Sequence, residues 1–346
     1  MIRKFQFRIF VTKAGVRMKV TIKDIAQICG VSLGTVDRAL NNRKGISEKT
    51  RKKVLQVAKE MNYRPDYTAR SLVIGKTLTI GVVLFDLYNR SFAQLLNAIE
   101  LKARELGYFV YITLTDKNPE NERQCIEYLV NRKVDGIILF SVNKRKSFDA
   151  YLKKFHVPIL TIFNYISDEW EYVGIQERQA MKDATKYIIS KNYQRFIYLC
   201  PPLAYSGRSN IYTQEERLAG FLEGLNEAHV SHPPIIIKES EYIDVLHTYS
   251  FNEDRKTAIV CSCDLYALEV MNFLKEKGYE IPRDVGVMGF DDIDMLKYVT
   301  PRLTTVKYPI VEIGCKAVES LINKIDSGDF LPTPLLDYEI IKGESI

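Results

Sequence analysis

The chain has 346 residues, 46% hydrophobic and 27% charged, an ordinary composition for globular domains and enough length for two or three of them. It contains no apolar run long enough for a membrane-spanning helix, and its six scattered cysteines form no CxxC pair, which favours reduced thiols in a cytosol over a disulfide framework. Charge is split: residues 1–76 carry 18 Lys and Arg against 5 Asp and Glu, an excess of +13, whereas residues 77–346 carry 31 against 38, a balance of −7, so a basic head suited to a polyanion precedes a mildly acidic body.

Residues 1–17 are basic, and their apolar positions are too interrupted for the core of a signal peptide. Clean helical patterning begins at Met18, and the extension before it stays unassigned. Thr21 caps a first helix, with Asp24 as its capping-box partner, and Ile22, Ile25, Ala26 and Cys29 recur at helical spacing. Gly30-Val31-Ser32 forms a tight turn. Ser32 caps a second helix with Val36, Ala39 and Leu40 inward. Asn41-Asn42 and Gly45 break the pattern. Ser47 then caps a third helix, with Thr50, Val54, Val57, Ala58 and Met61 inward. Pro65 disfavours helix at Arg64, residues 66–72 can form only a marginal helix, and Gly75 opens a linker.

From Leu78 onward apolar strands alternate with amphipathic helices. The strands read LTIGVVLF, YFVYITLT, VDGIILF, VPILTIF, RFIYLCPP, PIIIKES, TAIVCSC and VGVMGF. Helical stretches fall near 91–106, 119–132, 176–191, 214–228, 264–277 and 309–326. Continuous apolar strands between helices imply parallel sheets covered on both faces. So many βα repeats fit two doubly wound lobes with a cleft between them, with a single (β/α)8 barrel as the competitor.

The Thr21–Asn41 stretch fits a helix-turn-helix. Ala26 is small where the helices pack, Gly30 permits a positive φ, and Val31 and Val36 fill the corner. Such a unit places its second helix in the major groove, N-terminal end first, which brings Leu33, Gly34, Thr35 and Arg38 towards bases or phosphates. No GxGxxG after a strand, Walker loop or GxSxG is present, and the expectation is a non-enzyme. Asp291, Asp292 and Asp294 read as a turn rather than a metal site, and His229 and His232 lack the partners of a zinc site.

The motifs TIKDIAQICGVSLGTVDRALNN, ISEKTRKKVLQVAKEMNYRPDYTARSL, IGVV, VDGIIL, ERLAGFLEGL, CDLYALEVMNFLKEKGYEIPRDVGVMGFDDI and TPRLTTV occur in the order found in LacI/GalR-family bacterial transcription regulators. From Met18 onward the chain resembles that family. The resemblance implies an all-α headpiece on an α/β body of two doubly wound parallel-sheet lobes, of the type I periplasmic-binding-protein kind, and decides against the barrel. It implies a helix-turn-helix domain at 18–64, a hinge helix and linker at 65–77, and an effector-binding and dimerisation domain at 78–346. The first lobe would comprise about 78–175 and 308–330, the second about 176–307 and 331–346.

By the same resemblance, Thr21 and Ser32 contact phosphates, and Leu33, Gly34 and Arg38 hold the base-reading positions. Thr35 and Asn41 support the DNA backbone. Ala69 and Leu72 of the hinge enter the minor groove, with Leu72 as the wedge. Arg217 and Asp291 face the effector cleft, which lies at the carboxyl ends of the strands. Asp86, Tyr88 and Phe92 supply first-lobe contacts, Tyr242 an aromatic platform, and Cys263 stands where asparagine is common, with Asp264 beside it. The implied partners are double-stranded pseudopalindromic operator DNA, a second copy in a homodimer, and a small sugar or sugar derivative. No cofactor, metal or membrane is implied, and the location is cytoplasmic, at the nucleoid when bound. A non-sugar metabolite or a partner protein as the signal, or a solute receptor without DNA function, are the alternatives. Two residues depart from the pattern: Gly34 lacks a side chain at a reading position, and Asp37 replaces a usual serine, where it is expected to orient Arg38.

Overall fold

The computed structural model describes residues 20–64, 71, 75–144, 146–200, 211–251 and 255–346. Two units result, one ending at Gly75 and the other beginning at Lys76.

The first unit holds α1 (Ile22–Cys29), α2 (Leu33–Leu40) and α3 (Glu48–Glu60). Each begins at a hydroxyl cap that satisfies an otherwise orphan N–H. Thr21 and Asp24 form a complete capping box, with Thr21 N–H and Oγ–H both donating to Asp24 Oδ2. Ser32 Oγ accepts from Thr35 N–H and Ser47 Oγ from Thr50 N–H. Gly30 closes α1 at φ 65°, a conformation that only glycine adopts freely. The small core is Ile25, Ala26, Cys29, Val36, Ala39, Val54 and Ala58. Leu40, Val57 and Met61 pack at its margin, and Ile22, expected inside, is exposed.

The second unit contains two sheets. The first has strand order β2-β1-β3-β4-β5, from β1 (Thr79–Leu84), β2 (Phe109–Leu114), β3 (Gly136–Leu139), β4 (Ile159–Ile162) and β5 (Glu171–Val173), all parallel. On one of its faces Leu95 and Ile99 of α4 (Arg90–Glu105) and Ile313, Ala317 and Leu321 of α11 (Ile310–Ser327) pack on Ile80, Val82, Ile138 and Leu160. On the other, Ile126 and Leu129 of α5 (Pro119–Asn131) and Phe148 and Leu152 of α6 (Lys146–Leu152) cover Val83, Ile137 and Leu139.

The second sheet contains β6 (Arg195–Leu199), β7 (Ile235–Ile237), β8 (Thr257–Cys261), β9 (Val285–Asp291), β10 (Thr304–Lys307) and β11 (Glu339–Ile341), in the order β11-β10-β9-β8-β6-β7. Only the β10–β11 pair is antiparallel. α7 (Glu177–Ile189) and α8 (Tyr212–Glu227) cover one face, α9 (Tyr242–Leu246) and α10 (Asp264–Glu276) the other. Gly220 lets α7 and α8 close up: a Cβ there would lie 2.0 Å from the carbonyl oxygen of Arg178.

Two features differ from the sequence reading. β5, β10 and β11 were not expected, since each is short and two border turns. β2 is not covered on both faces: it is the edge of its sheet and exposes Tyr111, Ile112 and Leu114. Ala69 and Leu72 of the expected hinge helix lie outside the described residues, as does the extension at 1–17.

Candidate functional site

The headpiece turns one face of α2 to solvent. Val36 and Ala39 of α2 are buried, which turns Leu33, Gly34 and Arg38 outward, with Asn41 following at the helix end. Thr35 is half-buried and its Oγ meets Ser32 Oγ at 2.9 Å. Thr21 and Ser32 are the caps of α1 and α2, so their hydroxyls sit beside N–H-rich helix ends that attract phosphate. Asp37 does not orient Arg38. Its Oδ2 accepts from Arg43 Nη1 at 2.9 Å and its Oδ1 from Asn41 Nδ2 at 2.7 Å. Arg43 lies one turn beyond the helix, a partner that helical spacing alone could not suggest.

In the body, the loops at the carboxyl ends of the strands enclose a cavity of about 300 Å³. Asp86, Tyr88, Phe92, Arg217, Cys263 and Asp291 all line it. Phe85, Phe140 and Phe163 form an aromatic wall, the first two stacked with centroids 4.0 Å apart and Phe92 edge-on to both. Asp86 Oδ1 accepts from Tyr88 N–H, and Lys117 Nζ stands 3.6 Å from Asp86 Oδ2. Tyr88 is 87% exposed and therefore stands at the rim.

Arg217, from α8, anchors the floor. Its Nε donates to Glu177 Oε2 at 2.7 Å and its Nη1 to the Ser262 carbonyl at 2.6 Å. Asp291 Oδ1 lies 3.6 Å from Nη1, and the guanidinium stacks 3.7 Å from the centroid of the Phe290 ring. Burial works against the Arg217 charge, but the Glu177 and Asp291 carboxylates outweigh it and hold the group protonated. Burial pushes the carboxyls of Glu177 and Asp291 up, with Arg217 opposing in each case. Tyr308 O–H donates to Asp291 Oδ1 at 3.0 Å and Asn89 Nδ2 to Oδ2 at 3.4 Å. Asp291 adopts φ 130°, a region that side chains avoid; such strain is held where the surroundings dictate a side chain's aim.

Two expected contacts stand behind the wall. Asp264 Oδ1 accepts from Thr305 Oγ at 2.6 Å and Oδ2 from Ile293 N–H at 3.0 Å, and burial pushes its carboxyl up. It ties the β8 end to the β9 and β10 ends rather than facing the cavity. Tyr242 hydrogen-bonds Glu269 and packs edge-on against Tyr266, and it is Tyr266 that faces the cavity. Sequence reading missed Lys117, Asn164, Gln214, Tyr266 and Tyr308. Their signal was positional: each follows a strand or opens a helix at the strands' carboxyl ends. Among the described residues, no group of three or more His, Cys, Asp or Glu could hold a metal ion.

Several polar contacts cross the cleft beside the cavity. Arg90 grips Asp294 through two bonds of 2.8 Å, Lys144 Nζ donates to Glu215 at 3.0 Å, Thr213 N–H donates to Asn164 Oδ1 at 3.1 Å, and Asn89 reaches Asp291.

Residues 21–66 match the bacterial regulatory proteins of the lacI family, and residues 185–346 a periplasmic binding protein-like domain. A relative named HTH-type transcriptional repressor PurR, from Vibrio atlanticus (strain LGP32), is 31% identical over 324 residues, covering 89% of this chain and 93% of its own. The chain belongs to the LacI family. A ribose operon repressor from Haemophilus influenzae is 30% identical over 337 residues, covering 94% of this chain and 98% of its own. A LacI-family fold is also seen in the lac repressor dimer bound to operator and the anti-inducer ONPF, which superposes with a TM-score of 0.81 at 23% identity over 95% of this chain and 99% of that one. This LacI-family chain is a DNA-binding transcriptional regulator with a periplasmic-binding-protein-like body.

Proposed function

We propose that the chain is an operator-specific repressor that binds pseudopalindromic DNA as a homodimer, and that a small sugar-like molecule in the body cavity sets its affinity for DNA. The observation that carries this reading is the outward face of α2, where Leu33, Gly34, Arg38 and Asn41 stand on a rigid, capped helix within a headpiece rich in positive charge. The apolar side chains on the β2 edge support the second copy, because a long exposed edge strand calls for cover. For the effector, aromatic rings suit the C–H faces of a sugar. Arg217, Asp291, Asn164 and Gln214 offer the polar grip for its hydroxyls. Gln214 Oε1 is buried without a hydrogen-bond partner among the described residues and suits a donor from such a ligand. Contacts such as Arg90–Asp294 and Lys144–Glu215 link the two lobes across the cleft, and an occupant of the cavity can strengthen or weaken them.

Footprinting of the full chain on the DNA upstream of its own gene tests the reading. The expected result is a two-fold symmetric protected region whose half-sites are about one helical turn apart or a multiple of it. Protection without symmetry, or none beyond that on random DNA, would overturn it. A thermal-shift screen against sugars, uronates and nucleobases then identifies the effector class, because a ligand of the native state raises the midpoint.

A further inference from the structure

Gly34, Asp37, Arg38 and Asn41 are spaced by three, one and three residues and share one side of α2. An acid on a face turned to a polyanion is repelled unless its charge is engaged, and that of Asp37 is engaged by Arg43 and Asn41. The backbone places Arg43 independently of the ion pair. Asn42 takes φ 53°, its N–H donates to the Ala39 carbonyl, and Arg43 N–H donates to the Arg38 carbonyl at 2.9 Å. These are the two bonds of a Schellman closure, which folds the chain back over the last turn of the helix. Arg51 of α3 then donates to the carbonyl of Arg43 at 2.7 Å and to that of Arg38 at 3.3 Å. The main chain of Arg43 is clamped from two sides, and its side chain returns along α2 to Asp37.

We infer that Arg43 is a base-reading residue, positioned by Asp37, that selects a guanine in the major groove of each half-site. Asp37 uses Nη1 of the guanidinium, while the side chain stays 60% exposed and leaves further N–H donors of the planar fork for a ligand. That fork matches O6 and N7 of guanine, and a carboxylate holding one corner fixes its plane before DNA arrives. A phosphate contact gains nothing from such an arrangement: Asp37 cancels the Arg43 charge, so the pair adds little to counterion release. Gly34, one turn earlier on the same face, has only Ser32 Oγ within 4 Å of where its Cβ would be, so a base edge can approach the helix closely. The Asp37–Arg43 pair thus adds a reading group beyond the C-terminal end of α2, while Gly34 offers no side chain near its start. The inference rests on the operator-binding reading above.

Selection of duplexes from a randomised library by the full chain and its variants tests it. The wild type is expected to enrich a pseudopalindrome with guanine at one fixed position of each half-site. Arg43→Ala and Arg43→Lys should both lose that preference, about 10- to 100-fold, with other positions unchanged. Asp37→Asn should relax the same position, and adding it to Arg43→Ala should cost nothing more there. Arg43→Lys keeps the charge and the exposed stem, so it separates loss of the fork from loss of folding. An unchanged preference in Arg43→Ala with uniformly weaker binding, and full recovery in Arg43→Lys, would make Arg43 a phosphate contact and overturn the inference alone. An Asp37→Asn profile identical to the wild type would remove the positioning role. Failure of the wild type to enrich any sequence would instead bring down the operator reading.

Discussion

Replacing Arg217 by methionine should destabilise the chain by about 3–5 kcal/mol at pH 7.5, the usual result of breaking a buried ion pair on one side. The variant leaves Glu177 and Asp291, whose side chains are 1% and 3% exposed, without their cation, while methionine keeps much of the packing against Phe290. A ceiling comes from proton uptake. Neutralising one carboxyl of ordinary acidity at pH 7.5 costs about 4 kcal/mol, at 1.36 kcal/mol per pH unit, and neutralising both costs about twice that. In the variant both carboxyls titrate in the folded state well above their unfolded values. The stability so gained is complete below about pH 4 and is lost as pH rises through the raised folded values. The penalty relative to wild type should therefore shrink by about 1–3 kcal/mol between pH 7.5 and pH 5. Urea unfolding followed by the single tryptophan, Trp170, which donates to Asp149 in the first lobe, reads this directly. A penalty below about 1 kcal/mol at pH 7.5, or one that is the same at pH 5, would refute the account of the cavity floor.

Glu122 is fully buried, accepts from the N–H groups of Val142 and Asn143 and from Asn143 Nδ2, and is pushed up to about 7 by burial. Its protonated form is favoured by folding, so its contribution is full below about pH 4.5 and falls by about 3 kcal/mol as pH rises through 7; Glu122→Gln should flatten that part of the stability–pH curve, and an unchanged slope would count against it. Gly220→Ala must push α8 away from the Arg178 carbonyl and should lower stability by about 1–3 kcal/mol in urea titrations; a neutral result would mean that the two helices slide apart without cost. Ile112→Glu on the exposed β2 edge should convert a dimer to a monomer in analytical ultracentrifugation and weaken operator binding with it; a variant that stays dimeric places the interface elsewhere.

Much of the architecture was readable because it follows from local chemistry. Hydroxyl caps at Thr21, Ser32 and Ser47 and the glycine turn at Gly30 set the headpiece helices within a residue. Alternating apolar runs and amphipathic stretches gave the main strands of both sheets. What escaped was non-local. The edge role of β2 depends on which strand pairs with which, and an apolar run reads the same at an edge as in a centre. Asp264 lies between the cavity residues Cys263 and Leu265 in sequence and Tyr242 packs on the cavity residue Tyr266, but their side chains bond Thr305 and Glu269, a choice made by tertiary packing. Asp37 was expected to meet its sequence neighbour Arg38. The Schellman closure at Asn42 brings Arg43 back instead, and the neighbour rule loses to a turn.

The central claim, that a basic headpiece reads a specific operator, is tested most directly by fluorescence anisotropy of the full chain on its selected operator and on a scrambled duplex across a range of KCl concentrations. The account predicts a preference for the operator of at least about 10³-fold, with affinity for both duplexes falling steeply as salt rises. Equal affinity for the two duplexes, with a slope equivalent to only about one or two phosphates, would contradict it.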